Sequence, residues 1–179
     1  MATFQAQIEG LTGLTIGTAP TTGEVTQFIN DGVIEVSNRI VQLKPDEASD
    51  YLRESSEQTD NGFNPGSTRI FTVLRETGTN NDWRACARIS PDLQSRVTDK
   101  NSIYYASKYS PVYMVTQNRN VHVFPAPENP SSGGAADNKF KVLYVNNTPE
   151  NGSGGALVYS NSNIKWFPED KVYLVVLYA

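Results

Sequence analysis

The chain has 179 residues, 38% hydrophobic and 19% charged, with a formal net charge of −4 at pH 7. Its length suffices for a core without staples, the one cysteine excludes an internal disulfide framework, and the one histidine excludes a His-ligated metal cluster. No Lys/Arg cluster is dense enough to grip nucleic acid, no apolar run reaches the length of a membrane span, and MATFQAQIEG lacks the pattern of a leader, so the chain reads as a soluble protein of a reducing cytoplasm.

Residues 1–20 carry Gly10, Gly13, Gly17 and Pro20 among short apolar residues, a poor helix that reads as an extended N-terminal arm. Thr21 to Glu24 forms a Thr-x-x-Glu capping box. Behind it Val25, Phe28, Ile29, Val33, Val36, Ile40 and Leu43 recur at helical spacing and form one apolar face. Gly32 lies on that face, where a missing side chain lets another backbone approach. Pro45 ends this helix at Lys44, and PDEASDYLRE restarts a shorter one, with Asp46 and Glu47 at its positive end. The helical region therefore spans 21–56.

After a turn-forming loop at 55–68 the period changes. RIFTVLRE (69–76), WRACARI (83–89), PVYMVTQ (111–117), VHVFPA (121–126) and KFKVLYV (139–145) read as strands, and ALVYS (156–160) is a candidate partner for the last. Asn118-Arg119-Asn120 suits a hairpin turn, and Ser90-Pro91-Asp92-Leu93 a capped helical turn continued to Ser95. Gly/Ser/Asn-rich loops occupy 128–138 and 146–155. The terminal FPEDKVYLVVLYA (167–179) opens with Pro168, Glu169 and Asp170 like the first turn of a helix. A buried strand is the alternative for VYLVVLY, whose valines and tyrosines favour strands. The whole reads as one α+β domain, 1–179, with an N-terminal helix pair and a C-terminal apolar helix packed with a mostly antiparallel β-rich middle over 69–160.

Chemistry-bearing motifs are scarce. His122 sits inside a strand pattern and Cys86 in an apolar-flanked one, and both read as structural. The carboxylate pairs Asp46/Glu47 and Glu169/Asp170 each follow a proline at a helix start, where dipole complementarity explains them. The glycine-rich loops lack a phosphate-loop context. The chain therefore reads as no enzyme, with no catalytic residue, no cofactor and no metal. Tyr104, Tyr105, Tyr109, Tyr113, Phe124, Tyr144, Tyr159, Trp166 and Phe167 crowd the second half, as either a sheet core or a subunit interface. Arg84, Arg88, Arg96 and Arg119 in the same region are available to pair with acidic groups on another subunit.

Six strings in order, LTGLTI (11–16), QFINDGVIEVSNRI (27–40), VLRE (73–76), WRACARISPDLQSRVTD (83–99), PVYMVTQNRNVHVFPAP (111–127) and FPEDKVYLVVLYA (167–179), resemble virion structural proteins of tailed bacteriophages, marine and cyanobacterial ones in particular. The layout of N-terminal helix, β-rich insertion and C-terminal helix also resembles the head-to-tail adaptors of phage connectors, which pack helices side by side into a ring beneath the portal. The resemblance implies a virion protein assembled in the host cytoplasm: a homo-oligomeric ring, a dodecamer by analogy. It would join portal to tail or neck proteins around a channel through which DNA passes without sticking. The family's sequences continue past the final string as a longer helix, so the alternatives are that part of that helix lies beyond Ala179 or that this member is short. The positions expected to serve packing and assembly are Val25, Phe28, Gly32 and Val36 on the first helix and Tyr173, Leu174 and Leu177 on the last. Other readings are a capsid-decorating or tail-associated protein built around the sheet, and a ligand-binding module of a tail fibre.

Overall fold

Thr3 and Gly13 bracket a helix that the N-terminal glycines conceal. In the structure, a computed structural model, residues 2–66, 68–78, 81–127, 138–145 and 148–179 are described. Helix α1 runs Phe4–Thr12; the Thr3 side chain accepts the Ala6 N–H, and Gly13, at φ 70°, donates its own N–H to the Glu9 carbonyl. This corrects the extended arm expected over 1–20. A Thr N-cap and a left-handed glycine C-cap close the helix at both ends, and Phe4 and Ile8, one turn apart, are buried. Together these outweigh the roughly 1 kcal/mol that Gly10 costs inside a helix.

Helix α2, Thr22–Leu43, starts at the capping box, with the Thr21 oxygen accepting the Glu24 N–H and the Glu24 carboxylate accepting the Thr21 N–H. It stops at Leu43, and Pro45 opens a 3-10 turn, Pro45–Tyr51, in place of the expected second α-helix. Leu52–Glu54 is strand β1, so the helical region ends short of 56. Asp46, Ser49 and Asp50 are residues whose short polar side chains compete with helical hydrogen bonds.

The chain folds into two compact units, Met1–Arg53 with Val145–Ala179, and Glu54–Tyr144. The second is thus inserted into the first. Helices at both ends and a predominantly antiparallel β middle make the arrangement α+β.

In the first unit, α2 packs on α4, Val172–Tyr178, which follows a 3-10 turn at Glu169–Lys171. The helical alternative for VYLVVLY is therefore the one adopted. Val172, Val175 and Val176 face inward beside Val25, Ile29 and Val33. Each buried valine contributes about 1.5–3 kcal/mol. The segment ALVYS does not pair with a strand. The Gln5 N–H donates to the Tyr159 carbonyl, the Tyr159 N–H to Thr26 Oγ1, and Asn30 Nδ2 to the Leu157 carbonyl. These backbone groups are satisfied by α1 and α2, the Val158 N–H is taken by Asn161 Oδ1, and Ala156 makes only an isolated antiparallel bridge to Glu150.

After β1 the strands are β2 Ile70–Glu76, β3 Trp83–Ala85, β4 Ala87–Arg88, β5 Val112–Val115, β6 Val121–Phe124 and β7 Phe140–Val145, all in the second unit except the last residue of β7. They form a four-stranded sheet in the order β1-β7-β2-β3 and a three-stranded sheet β4-β5-β6. WRACARI is not one strand: it breaks at Cys86, where the chain leaves the first sheet for the second. Val73, Phe140 and Val142 of one sheet and Tyr113, Val121 and Val123 of the other share a core with Cys86. The β5–β6 hairpin pairs Met114 with His122, and its turn holds Asn118 and Arg119 at φ 61° and 62°. Pro91–Leu93 is a 3-10 turn leading into α3, Gln94–Thr98, without a side-chain cap from Ser90. The expected loop at 128–138 lies outside the described residues except for Asn138, and that at 146–155 for its first two positions.

Arg75 ties the two sheets together. Its side chain, in a residue only 3% exposed, donates from Nε to the Pro125 carbonyl at 2.7 Å and from Nη1 to the Glu76 carbonyl at 2.6 Å. Arg75→Ala would leave buried carbonyls without donors, and urea denaturation should show a loss of about 2–4 kcal/mol.

Candidate assembly surface

The helix pair α2/α4 brings the expected packing positions together and divides them by role. Gly32 sits where α4 crosses. A Cβ there would lie 3.0 Å from Tyr178 Cδ1 and 3.3 Å from Val175 Cγ1. The close approach expected at Gly32 is thus made by side chains of α4. Val25, 2% exposed, is core. Phe28 is 45% exposed and Leu177 67%, and Tyr173 is also open to solvent. Val36 and Leu174 are half-buried.

Between the two helices runs a groove of about 380 Å³ lined by Val36, Ile40, Leu174, Leu177 and Tyr178, with Glu35 and Arg39 along one rim. The rim charges pair with each other at 2.6 Å across one helical turn. Ile40 was expected on the apolar face and Tyr178 over the rest of α4, but neither among the assembly positions. The signal that finds them is the mismatch between apolar spacing and burial. The buried line on α2 runs Val25, Ile29, Gly32, Val33, Ser37, Val41. Apolar residues off that line, Phe28, Val36, Ile40 and Leu43, are not fully covered by the described residues.

At the end of this helix pair Tyr51 is buried edge-on to Phe167, with ring centroids 5.3 Å apart. Its hydroxyl has no hydrogen-bond partner among the described residues. Burial, followed by the charges of Glu47, Asp170 and Asp50, pushes the phenol up to about 12. Those carboxylates make this end acidic; Lys44 pairs with Glu47 at 2.8 Å and Lys171 with Asp170 at 3.0 Å.

The chemical candidates lie in the other unit. Cys86 is buried, and burial pushes its thiol up to about 12, so it is protonated and unreactive at neutral pH. His122 is half-buried in β6. Among the described residues no three His, Cys, Asp or Glu side chains gather as a metal-holding group, and no helix is long and apolar enough to cross a membrane.

Two substitutions test this geometry. Gly32→Leu forces α4 off α2 and should cost about 1–3 kcal/mol in chemical denaturation. Tyr51→Phe removes a buried hydroxyl that lacks a partner, so the variant should match or exceed the parent by about 1 kcal/mol at pH 7. The raised phenol contributes stability that is complete below its ordinary value near 10 and lost as pH climbs toward about 12. A pH series of thermal melts should show a shallower decline in Tyr51→Phe than in the parent, because Cys86 and Tyr113, also pushed up by burial, lose their protons over the same alkaline range in both. Comparison with protein-family models and with curated proteins finds no match to this chain.

Proposed function

We propose that the chain is a noncatalytic structural protein of a tailed-phage virion, a subunit of a head-to-tail connector ring. In this role it joins portal to tail or neck proteins and surrounds the DNA channel. The observation that carries this reading is the uncovered apolar surface of the helix pair: exposed Leu177 and Tyr178 line the α2/α4 groove, and Phe28, Leu43 and Tyr173 stand exposed on the same two helices. A helix with apolar residues nearly all round needs cover nearly all round, and contiguous apolar surface of this kind marks interaction sites. The six strings that resemble phage virion proteins include the whole of α4 and most of α2, so the resemblance and the uncovered surface coincide.

In a ring of this kind, partners are recognised by shape and apolar contact, and the net charge of −4 keeps phosphate binding weak, as a channel for passing DNA requires. Native mass spectrometry of the purified chain tests the assignment. A closed ring of many copies that leaves duplex DNA unbound at physiological salt is the expected result. A chain monomeric at every concentration, alone or with the portal, overturns it, and a trimer would point instead to a capsid-decorating protein.

A further inference from the structure

Among the described residues the most exposed large apolar side chain is Ile103, 93% accessible, followed directly by the exposed Tyr104 and Tyr105. These side chains sit on a locked turn. Asp99 Oδ1 accepts the Asn101 N–H, the Asp99 carbonyl accepts the Ser102 N–H, and Ser102 accepts from Tyr104 at Oγ and from Tyr105 at its carbonyl. Ala106, which is buried, closes the turn by donating its N–H to the Val97 carbonyl. A prearranged aromatic projection loses little freedom on docking, which is how Tyr-rich recognition loops gain affinity.

Charge says what the projection meets. From Arg84 to Arg119 there are six basic residues against two acidic ones. Arg88, Arg96, Lys100 and Lys108 are exposed, and among the described residues none of them has an ion-pair partner. Arg96 and Lys108 instead lie over the rings of Tyr104 and Tyr109, at 5.9 and 5.0 Å. The unit that carries the α2/α4 groove has the opposite balance, five basic residues against ten acidic ones. Its exposed Asp46, Asp50 and Glu169 have no ion-pair partner among the described residues. Asp170, beside them, lies four positions before Leu174 of the groove. A basic aromatic projection and an acidic-ended apolar groove therefore occur on one chain.

We propose that the Ile103-Tyr104-Tyr105 projection of one copy docks into the α2/α4 groove of the next, head to tail, an inference that rests on the ring reading and names the surfaces that build the ring. Unlike surfaces mating in this way generate closed rings when the rotation closes. Ile103 and the tyrosines fill the groove against Val36, Ile40, Leu174 and Leu177, while Lys100 and Lys108 approach the acidic end. Opposite charges steer the encounter and set its direction, and salt weakens it.

Mixed cross-linking of full-length chains tests the contact. Ile103→Cys chains mixed with Leu177→Cys chains under mild oxidation should give a covalent dimer containing one of each, while neither variant alone should dimerise. Buried Cys86 supplies a quiet background. Ile103→Asp, at an exposed position that leaves the fold intact, should raise the concentration for half-assembly about tenfold or more. Sedimentation at 0.5 M salt against low salt should shift the parent in the same direction. Assembly that persists in Ile103→Asp without a mixed dimer overturns the docking and leaves the ring reading standing. A dimer from Ile103→Cys chains alone indicates a symmetric contact and also overturns it. A parent chain that never assembles overturns both.

Discussion

The packing of α4 on α2 is the contact on which the first unit depends, because it joins the two ends of the chain across an inserted unit of 91 residues, Glu54–Tyr144. The two ends contribute to one core: Phe4, Val25, Ile29 and Val33 come before the insertion, and Leu157, Phe167, Val172 and Val175 after it. Closing a loop of that length costs only logarithmically more than closing a short one. A handful of buried valines and one glycine at the crossing can therefore hold it. The glycine matters because the helices meet at side-chain distance there, and any bulk at position 32 is felt by both partners. An insertion of this kind also leaves the second unit to build a separate core from its own two sheets.

Much of the fold was legible where local chemistry and burial agree. The capping box at Thr21 and Glu24 set the start of α2, and Pro45 set its end. Pro168 with Glu169 and Asp170 announced the last helix. Failures have identifiable causes. Helix α1 was hidden because Gly10, Gly13 and Gly17 lower helix propensity over a segment that the Thr3 and Gly13 caps nonetheless close. WRACARI carries continuous strand propensity, but a two-sheet core needs a place to change sheets, and small Cys86 supplies it in the middle of that run. ALVYS had the right composition for a strand, yet its polar backbone groups found partners on helices. Propensity describes what a segment tolerates, and the tertiary core decides among the options.

The candidate surface was legible in outline. Seven positions on two helices do lie on one helix pair, but a single apolar list could not separate those facing inward from those facing outward. The buried line on α2 passes through Ser37 and leaves Phe28 and Leu43 open. A polar residue thus lies inside while apolar ones lie outside, so apolar spacing alone does not predict which side of α2 is buried. Disagreement between local pattern and burial is expected at functional or strained sites, and here it falls on α2.

Cys86 has a consequence that grows with copy number. One thiol per chain is harmless in a monomer, but in a particle that repeats the chain many times it becomes many chances for a stray covalent bond. Buried between two sheets, with its proton held by its surroundings, this sulfur is removed from that chemistry in every copy at once. Were the proposed assembly to form, this thiol would supply no disulfide to rewrite its contacts.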